Sequence, residues 1–287
     1  MKVGFGDILD AHKDVPAVVC CHGPSLNKDK EKIIEAQEKG NIIRFSVNNW
    51  YDFFDKPPNY WIISNTEPKY HIFNDYKRMN NCGASVFYSI EGDPTTEEFI
   101  EKHLECDYFP YDQRHFKNHD CIKILKSFKE HGQTNKNLNF KEYGNNETMW
   151  YPPRVGGQYG WAGFDLYGRC CSKKLNPTIQ EFLQKISNCK QHYSTADTVA
   201  FHVIAFAIIM GCNPIYISGL DLDYSLGYAE KDAEINMNHY TMWKENNKNL
   251  INDMQILNKS AEKRNINIIN LKKDPWYKKF GAGKFDL

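Results

Sequence analysis

Between Val199 and Leu222 the chain reads VAFHVIAFAIIMGCNPIYISGLDL: a helix-length apolar run, a stop at Gly211, then a second apolar run ending in Asp221 and Leu222. A helix that is apolar all round has to be covered all round, and a strand without polar alternation has to be buried on both faces. The earlier runs Ala17–Cys21, Ile42–Val47, Tyr60–Ser64 and Ala84–Ile90 have the same continuous apolar character. Helical patterns separate or follow several of them: Asn27–Lys39, with a stripe at Ile33, Ile34 and Gln37, TTEEFIEKHL after Pro94, and NKNLINDMQILNKSAEKR ahead of a final strand INIINL. Alternating helices and doubly buried strands predict an α/β fold, a Rossmann-like, mostly parallel sheet with helices on both faces. A chain of 287 residues fits one such domain.

Residues 106–190 resist this reading, since YPPRVGGQYGWAGFDLYG and its neighbours keep neither period; they are expected to form an insertion or lid. The apolar run at Val199–Gly211 is broken by His202 and too short for a bilayer, and the N-terminus lacks an apolar signal core, so a cytoplasmic protein is expected. Nine cysteines, none in a C-x-x-C spacing, fit a reduced interior better than a zinc or redox site. The 36 basic and 36 acidic side chains cancel, which argues against a nucleic-acid partner and leaves a small nucleotide as the candidate ligand.

In parallel sheets ligands bind outside the carboxyl ends of the strands, near the point where the strand order reverses. The polar strand ends here are His22-Gly23-Pro24-Ser25-Leu26, Val47-Asn48-Asn49, Ser64-Asn65-Thr66-Glu67-Pro68 and the segment Ser218–Tyr228. Gly23 lets backbone N–H groups come close to a phosphate, and Ser25 can cap the following helix and donate to the same anion. Asparagine offers both a donor and an acceptor to a ribose or base edge. A Gly-Pro-Ser corner also serves as a plain helix start, and an asparagine after a strand as a turn former. The recurrence at successive strand ends favours a nucleotide cleft, one with neither a G-x-G-x-x-G nor a Walker pattern.

VVCCHGPSL, RFSVNNWYDF, YWIISNTEP, AIIMGCNPIYISGLDLDYSLGY and NHYTMW resemble, in order and spacing, the motifs of the bacterial lipooligosaccharide sialyltransferases of glycosyltransferase family forty-two. The resemblance covers most of the chain outside 106–190. It implies a single GT-A-like sialyltransferase domain with a mobile lid at about 222–247 and tetrameric assembly. It also implies metal-independent, inverting transfer from a CMP-sugar donor, such as CMP-sialic acid, to a glycan acceptor of lipopolysaccharide biosynthesis.

Carried across, the resemblance puts His22, Gly23, Pro24, Ser25, Asn48, Asn65, Thr195, Asp197, Ser218, Gly219 and Asp221 at the donor, and Tyr228 with Tyr224 at the departing phosphate. The family's catalytic base is a histidine after the SG-x-D strand. An ungapped alignment places Trp243 there, so His239, one turn earlier, is the candidate base. The segment Ser194–Asp197 departs from the family's Ser-Gly pair and sets Asp197 near an anionic donor.

The same GPSL corner resembles a domain-of-unknown-function group that includes pterin diphosphokinases. On that alternative, Asp221 and Asp223 would hold Mg²⁺; otherwise no cofactor or metal is expected. A third alternative is an inactive nucleotide-sugar-binding protein. The tail LKKDPWYKKFGAGKF, basic and aromatic, is a candidate for peripheral contact with an anionic membrane, with a solvated tail as the plainer account.

Overall fold

The computed structural model describes residues 1–63, 76–89, 102–111, 182–183, 185–189, 198–222, 229, 247–272, 281–282 and 285. Among them run α1 (Phe5–Ile8), β1 (Ala17–Cys20), α2 (Leu26–Glu38), β2 (Ile43–Val47), a 3-10 turn at Trp50–Asp52, β3 (Tyr60–Ile63) and α3 (Tyr76–Asn81). There follow β4 (Ser85–Ser89), β5 (Tyr108–Tyr111), α4 (Val199–Ile209), β6 (Ile215–Ser218), α5 (Asn247–Lys263), β7 (Ile268–Asn270) and the two-residue β8 (Gly281–Ala282). The strands form one sheet in the order β5-β4-β3-β2-β1-β6-β7-β8, and every pairing is parallel. The chain builds outward from β1 to β5, returns to the other side of β1 as β6, and builds the opposite way. The strand order therefore reverses between β1 and β6.

The central strands are buried on both faces, as their continuous apolar sequence requires. In β1, Ala17 and Val19 join a core with α4, Met254, Ile256 and Leu257 of α5, while Val18 and Cys20 join a second core with Leu26, Ile33 and Ala36 of α2. The α/β expectation, with a parallel sheet covered on both faces, holds. Helix α4 is buried along nearly its whole length because it faces the sheet on one side and α5 on the other.

The helix pattern at TTEEFIEKHL lies mostly outside the described residues. Strand β5 opens the stretch 106–190 that shows no period in the sequence. Tyr-Phe-Pro-Tyr carries too few residues to display alternation, and Pro110, which has no N–H, sits near the sheet margin where that loss is tolerated. The N-terminus flanks β5 there: Val3 N–H donates to Tyr108 O at 2.8 Å and Tyr108 N–H to Met1 O at 2.9 Å. Arg44 is fully buried on the α2 side. Its guanidinium lies 4.3 Å from the Phe54 ring centroid and donates to the Lys56 carbonyl. Burial brings it down to about 10. The six described cysteines carry free thiols. Among the described residues no helix is long and apolar enough to cross a membrane.

Phe206 of α4 packs edge-on against Phe87 and Tyr111, with ring centroids 4.7 and 5.2 Å away, and is 1% exposed. Phe206→Ala is expected to lower unfolding free energy by about 3–5 kcal/mol. Urea denaturation checks this: the midpoint should fall with the slope unchanged, whereas an unchanged midpoint would show that α4 does not seal the sheet.

Candidate functional site

Four carboxyl ends lie side by side at the reversal, those of β2, β1, β6 and β7. What brings β1 and β6 together past their ends is an exchange of backbone hydrogen bonds: Cys21 N–H donates to Ser218 O at 2.8 Å and Gly23 N–H to Gly219 O at 2.7 Å. Such contact leaves no room for side chains. A Cβ on Gly219, whose φ is +73°, would stand 2.2 Å from Cys21 O. A Cβ on Gly23 would stand 2.4 Å from Asp221 Oδ2 and 2.5 Å from Gly219 O. The corner glycine predicted from sequence therefore serves a close approach, of one protein segment to another.

Helix α2 starts directly from this corner. The N–H groups of Leu26, Asn27 and Lys28 donate to the carbonyls of Gly23, Pro24 and Ser25, and Pro24, with no N–H of its own, suits such a first turn. The expected Ser25 side-chain cap does not form: Ser25 has helical backbone angles and its hydroxyl makes no cap bond. The carboxylate of Asp221 instead holds the backbone of Ser25 itself, its Oδ2 accepting from Ser25 N–H at 2.8 Å. Oδ1 of the same group meets Lys272 Nζ at 3.0 Å. Asp221 is 5% exposed, and a buried carboxylate is tolerable only with partners of this kind. The N–H groups of Gly23 and Ser25 are thus already engaged within the protein. Ser218 is turned toward α2, where its hydroxyl donates to Asp29 Oδ2 at 2.8 Å.

On the other side of the corner, His22 ties β1 to β2. Its Nε2 lies 3.1 Å from Val47 O, which can only accept, so Nε2 carries the proton and Nδ1 is left as an acceptor. The ring centroid is 4.3 Å from that of Phe53. Burial lowers the imidazole to about 4, opposed in part by the Val47 bond, and His22 is neutral at pH 7. The next residue along β2, Asn48, is held in the left-handed region at φ +38°, a conformation asparagine tolerates. Its N–H donates to Ile62 O at 2.9 Å and its carbonyl accepts from Trp61 Nε1 at 2.6 Å, so β3 fixes it from both sides.

The chain after β6 returns to this place. Ala229 N–H donates to His22 O at 2.8 Å, and Asn27 Nδ2 donates to Ala229 O at 3.1 Å.

Of the residues predicted from sequence, His22, Gly23, Pro24, Ser25, Asn48, Ser218, Gly219 and Asp221 come together at the reversal. Asn65, Thr195, Asp197, Asp223, Tyr224, Tyr228 and His239 lie outside the described residues. Lys272 and Phe53, which were not predicted for the site, join it through Asp221 and His22 respectively. Lys272 belongs to a run that reads as a basic tail, and nothing local marks it as the partner of Asp221. Among the described residues no group of three or more His, Cys, Asp or Glu is placed to hold a metal ion.

The glycine contact makes a controlled pair of substitutions available. Gly40 also has positive φ, +71°, but open space around its Cβ position. Gly40→Ala should cost roughly 1–2 kcal/mol, the strain of a left-handed residue, and Gly219→Ala clearly more. Equal losses in denaturant unfolding would contradict the close approach.

A second outcome concerns pH. The unfolded chain protonates His22 near 6.5 and the folded one near 4, so acidification across that window favours unfolding. The melting temperature of the wild type is expected to fall more steeply from pH 6.5 to 4 than that of His22→Gln. Parallel profiles would mean that His22 is not held neutral.

No family model and no curated protein matches the chain. Solved structures similar to it include the sialyltransferase CstII from Campylobacter jejuni in complex with a substrate analogue, cytidine-5'-monophosphate, at 13% identity over 94% of this chain and 85% of that one, with a TM-score of 0.43. A variant of sialyltransferase Cst-II in complex with CMP matches at 13% identity and a TM-score of 0.43, over 93% of this chain and 85% of its own. At that distance the site is read from this chain's own residues.

Proposed function

We propose that the protein is a glycosyltransferase that moves an acidic sugar, sialic acid or a similar one, from a CMP-activated donor to a glycan acceptor. The observation that carries this reading is the meeting of the HGPSL corner, Asn48 and the SGLDL strand end at the reversal between β1 and β6, where a parallel sheet binds nucleotides. These are the segments whose order resembles the sialyltransferase motifs. The neutral wall of His22 and Phe53 suits a base or ribose, and Nδ1 of His22 is an acceptor for its donors.

In this reading transfer inverts the sugar and needs no metal. Tyr224 and Tyr228 donate to the leaving phosphate, where phenol hydroxyls stabilise developing charge, and His239 removes the acceptor proton. Asn65, Thr195 and Asp197 complete the donor site. The Mg²⁺-dependent diphosphokinase alternative is the less favoured one, because Asp221, which it would use as a ligand, already meets Lys272 and Ser25 N–H.

Turnover of CMP-sialic acid is expected in excess EDTA. Asn48→Ala should weaken CMP binding by roughly 1–3 kcal/mol while the fold persists. Titration calorimetry and product analysis check both. Turnover that stops in EDTA and returns with Mg²⁺ would overturn the metal-free mechanism, and unchanged CMP affinity in the variant would remove Asn48 from the site.

A further inference from the structure

We propose that Lys272 binds the phosphate of the nucleotide in the crevice, a role that rests on the nucleotide-donor reading above and that none of the motifs assigns. Lys272 lies just past the carboxyl end of β7, where Leu271 N–H still donates to Ile217 O at 3.0 Å and so holds the chain against β6. Its own N–H donates to Asn270 Oδ1 at 3.0 Å, which fixes the backbone turn that carries the side chain. The ammonium meets Asp221 Oδ1 at 3.0 Å, yet the Lys272 side chain stays 25% exposed against 3% for Asp221. The carboxylate is sealed within the fold while the lysine side chain stays partly exposed.

This asymmetry makes Asp221 an anchor for the lysine. Asp221 Oδ2 is taken by Ser25 N–H and Oδ1 by Lys272, so the charge of the carboxylate is answered from both sides. A lysine tethered in this way loses little side-chain freedom on meeting an anion, the usual cost of recruiting a long flexible cation. The Ser25 hydroxyl is buried with no hydrogen-bond partner among the described residues, and it sits on the residue whose N–H holds the same Asp221 carboxylate. A phosphate oxygen supplies the acceptor that this hydroxyl lacks.

The two sides of the β1–β6 reversal also differ in kind. On the β1–β2 side stand the neutral His22, the Phe53 ring and Asn48; on the β6–β7 side stands the one cation, among the described residues, paired with the buried Asp221. A nucleoside monophosphate matches this polarity with its base toward His22 and its phosphate toward Lys272. Because Asp221 cancels part of the lysine's field, the expected gain is about tenfold to a hundredfold in affinity, the range of one hydrogen bond to a charged group.

The test compares cytidine, uridine, adenosine and guanosine with their 5'-monophosphates by titration calorimetry, using wild type, Lys272→Gln and Lys272→Arg. For the base that binds, the monophosphate-to-nucleoside affinity ratio should fall about tenfold or more in Lys272→Gln and persist in Lys272→Arg. Nucleoside affinity should stay constant, which also reports an intact fold. An unchanged ratio in Lys272→Gln, or equal weakening of nucleoside and monophosphate, overturns the role of Lys272 while leaving CMP recognition standing. Binding of a different monophosphate with a lysine-dependent ratio supports Lys272 and removes the CMP donor. Binding of no nucleotide by the wild type overturns both.

Discussion

The hydrogen bond from Gly23 N–H to Gly219 O, 2.7 Å long, is the contact on which the crevice depends. It prolongs the β1–β6 pairing beyond the regular strands into the two loops, and both loops have glycine where a Cβ would collide with protein atoms. Once the loops are clamped, the first turn of α2 starts from Gly23, Asp221 reaches Ser25, and the carbonyl of His22 faces Ala229. The last two of these contacts join residues far apart in sequence. The corner is therefore shaped by tertiary contact, with local propensity contributing mainly the Pro24 start of the helix.

A helix N-terminus with exposed N–H groups is a ready anion site, and a Gly-Pro-Ser corner after a strand suggests one. Here the protein supplies its own anion. The buried Asp221 accepts from Ser25 N–H and carries Lys272 with it, so positive charge appears on the β7 side of the crevice instead of at the helix end. On the β2 side, burial keeps His22 neutral and its bond to Val47 O fixes which ring nitrogen accepts. A carboxylate, an ammonium and an uncharged imidazole thus give the four strand ends distinct chemistry on a shared backbone frame.

How far the sequence showed this differs from residue to residue. The α4–β6 unit was plain because doubly buried elements leave an unbroken apolar record, and the parallel sheet followed from strands alternating with helices, whereas the place of the reversal emerged only from the strand order. His22, Gly23, Asn48 and Gly219 were visible as strand ends, since polar residues after apolar runs stand out against the pattern. The cap expected at Ser25 was not realised because Ser25 takes helical angles and the N–H groups of Asn27 and Lys28 go to the carbonyls of Pro24 and Ser25, while its own N–H is held by Asp221, a partner distant in sequence that no local pattern records. Lys272 was hidden inside a basic run, where a charge held by a buried carboxylate looks the same as one in solvent. Strand β5 was missed because four residues, one of them proline, carry no period, although Phe109 and Tyr111 are buried against Phe87 and Phe206.

The central claim is that the nucleotide sits at the carboxyl ends of β1 and β6. A crystal structure of the protein with CMP tests it most directly. The account predicts density for CMP against the Gly23–Ser25 turn and the Ser218–Asp221 strand end, with the ring of His22 along its base or ribose. Well-defined CMP at the opposite edge of the sheet, or on a surface away from the β1–β6 reversal, would contradict it.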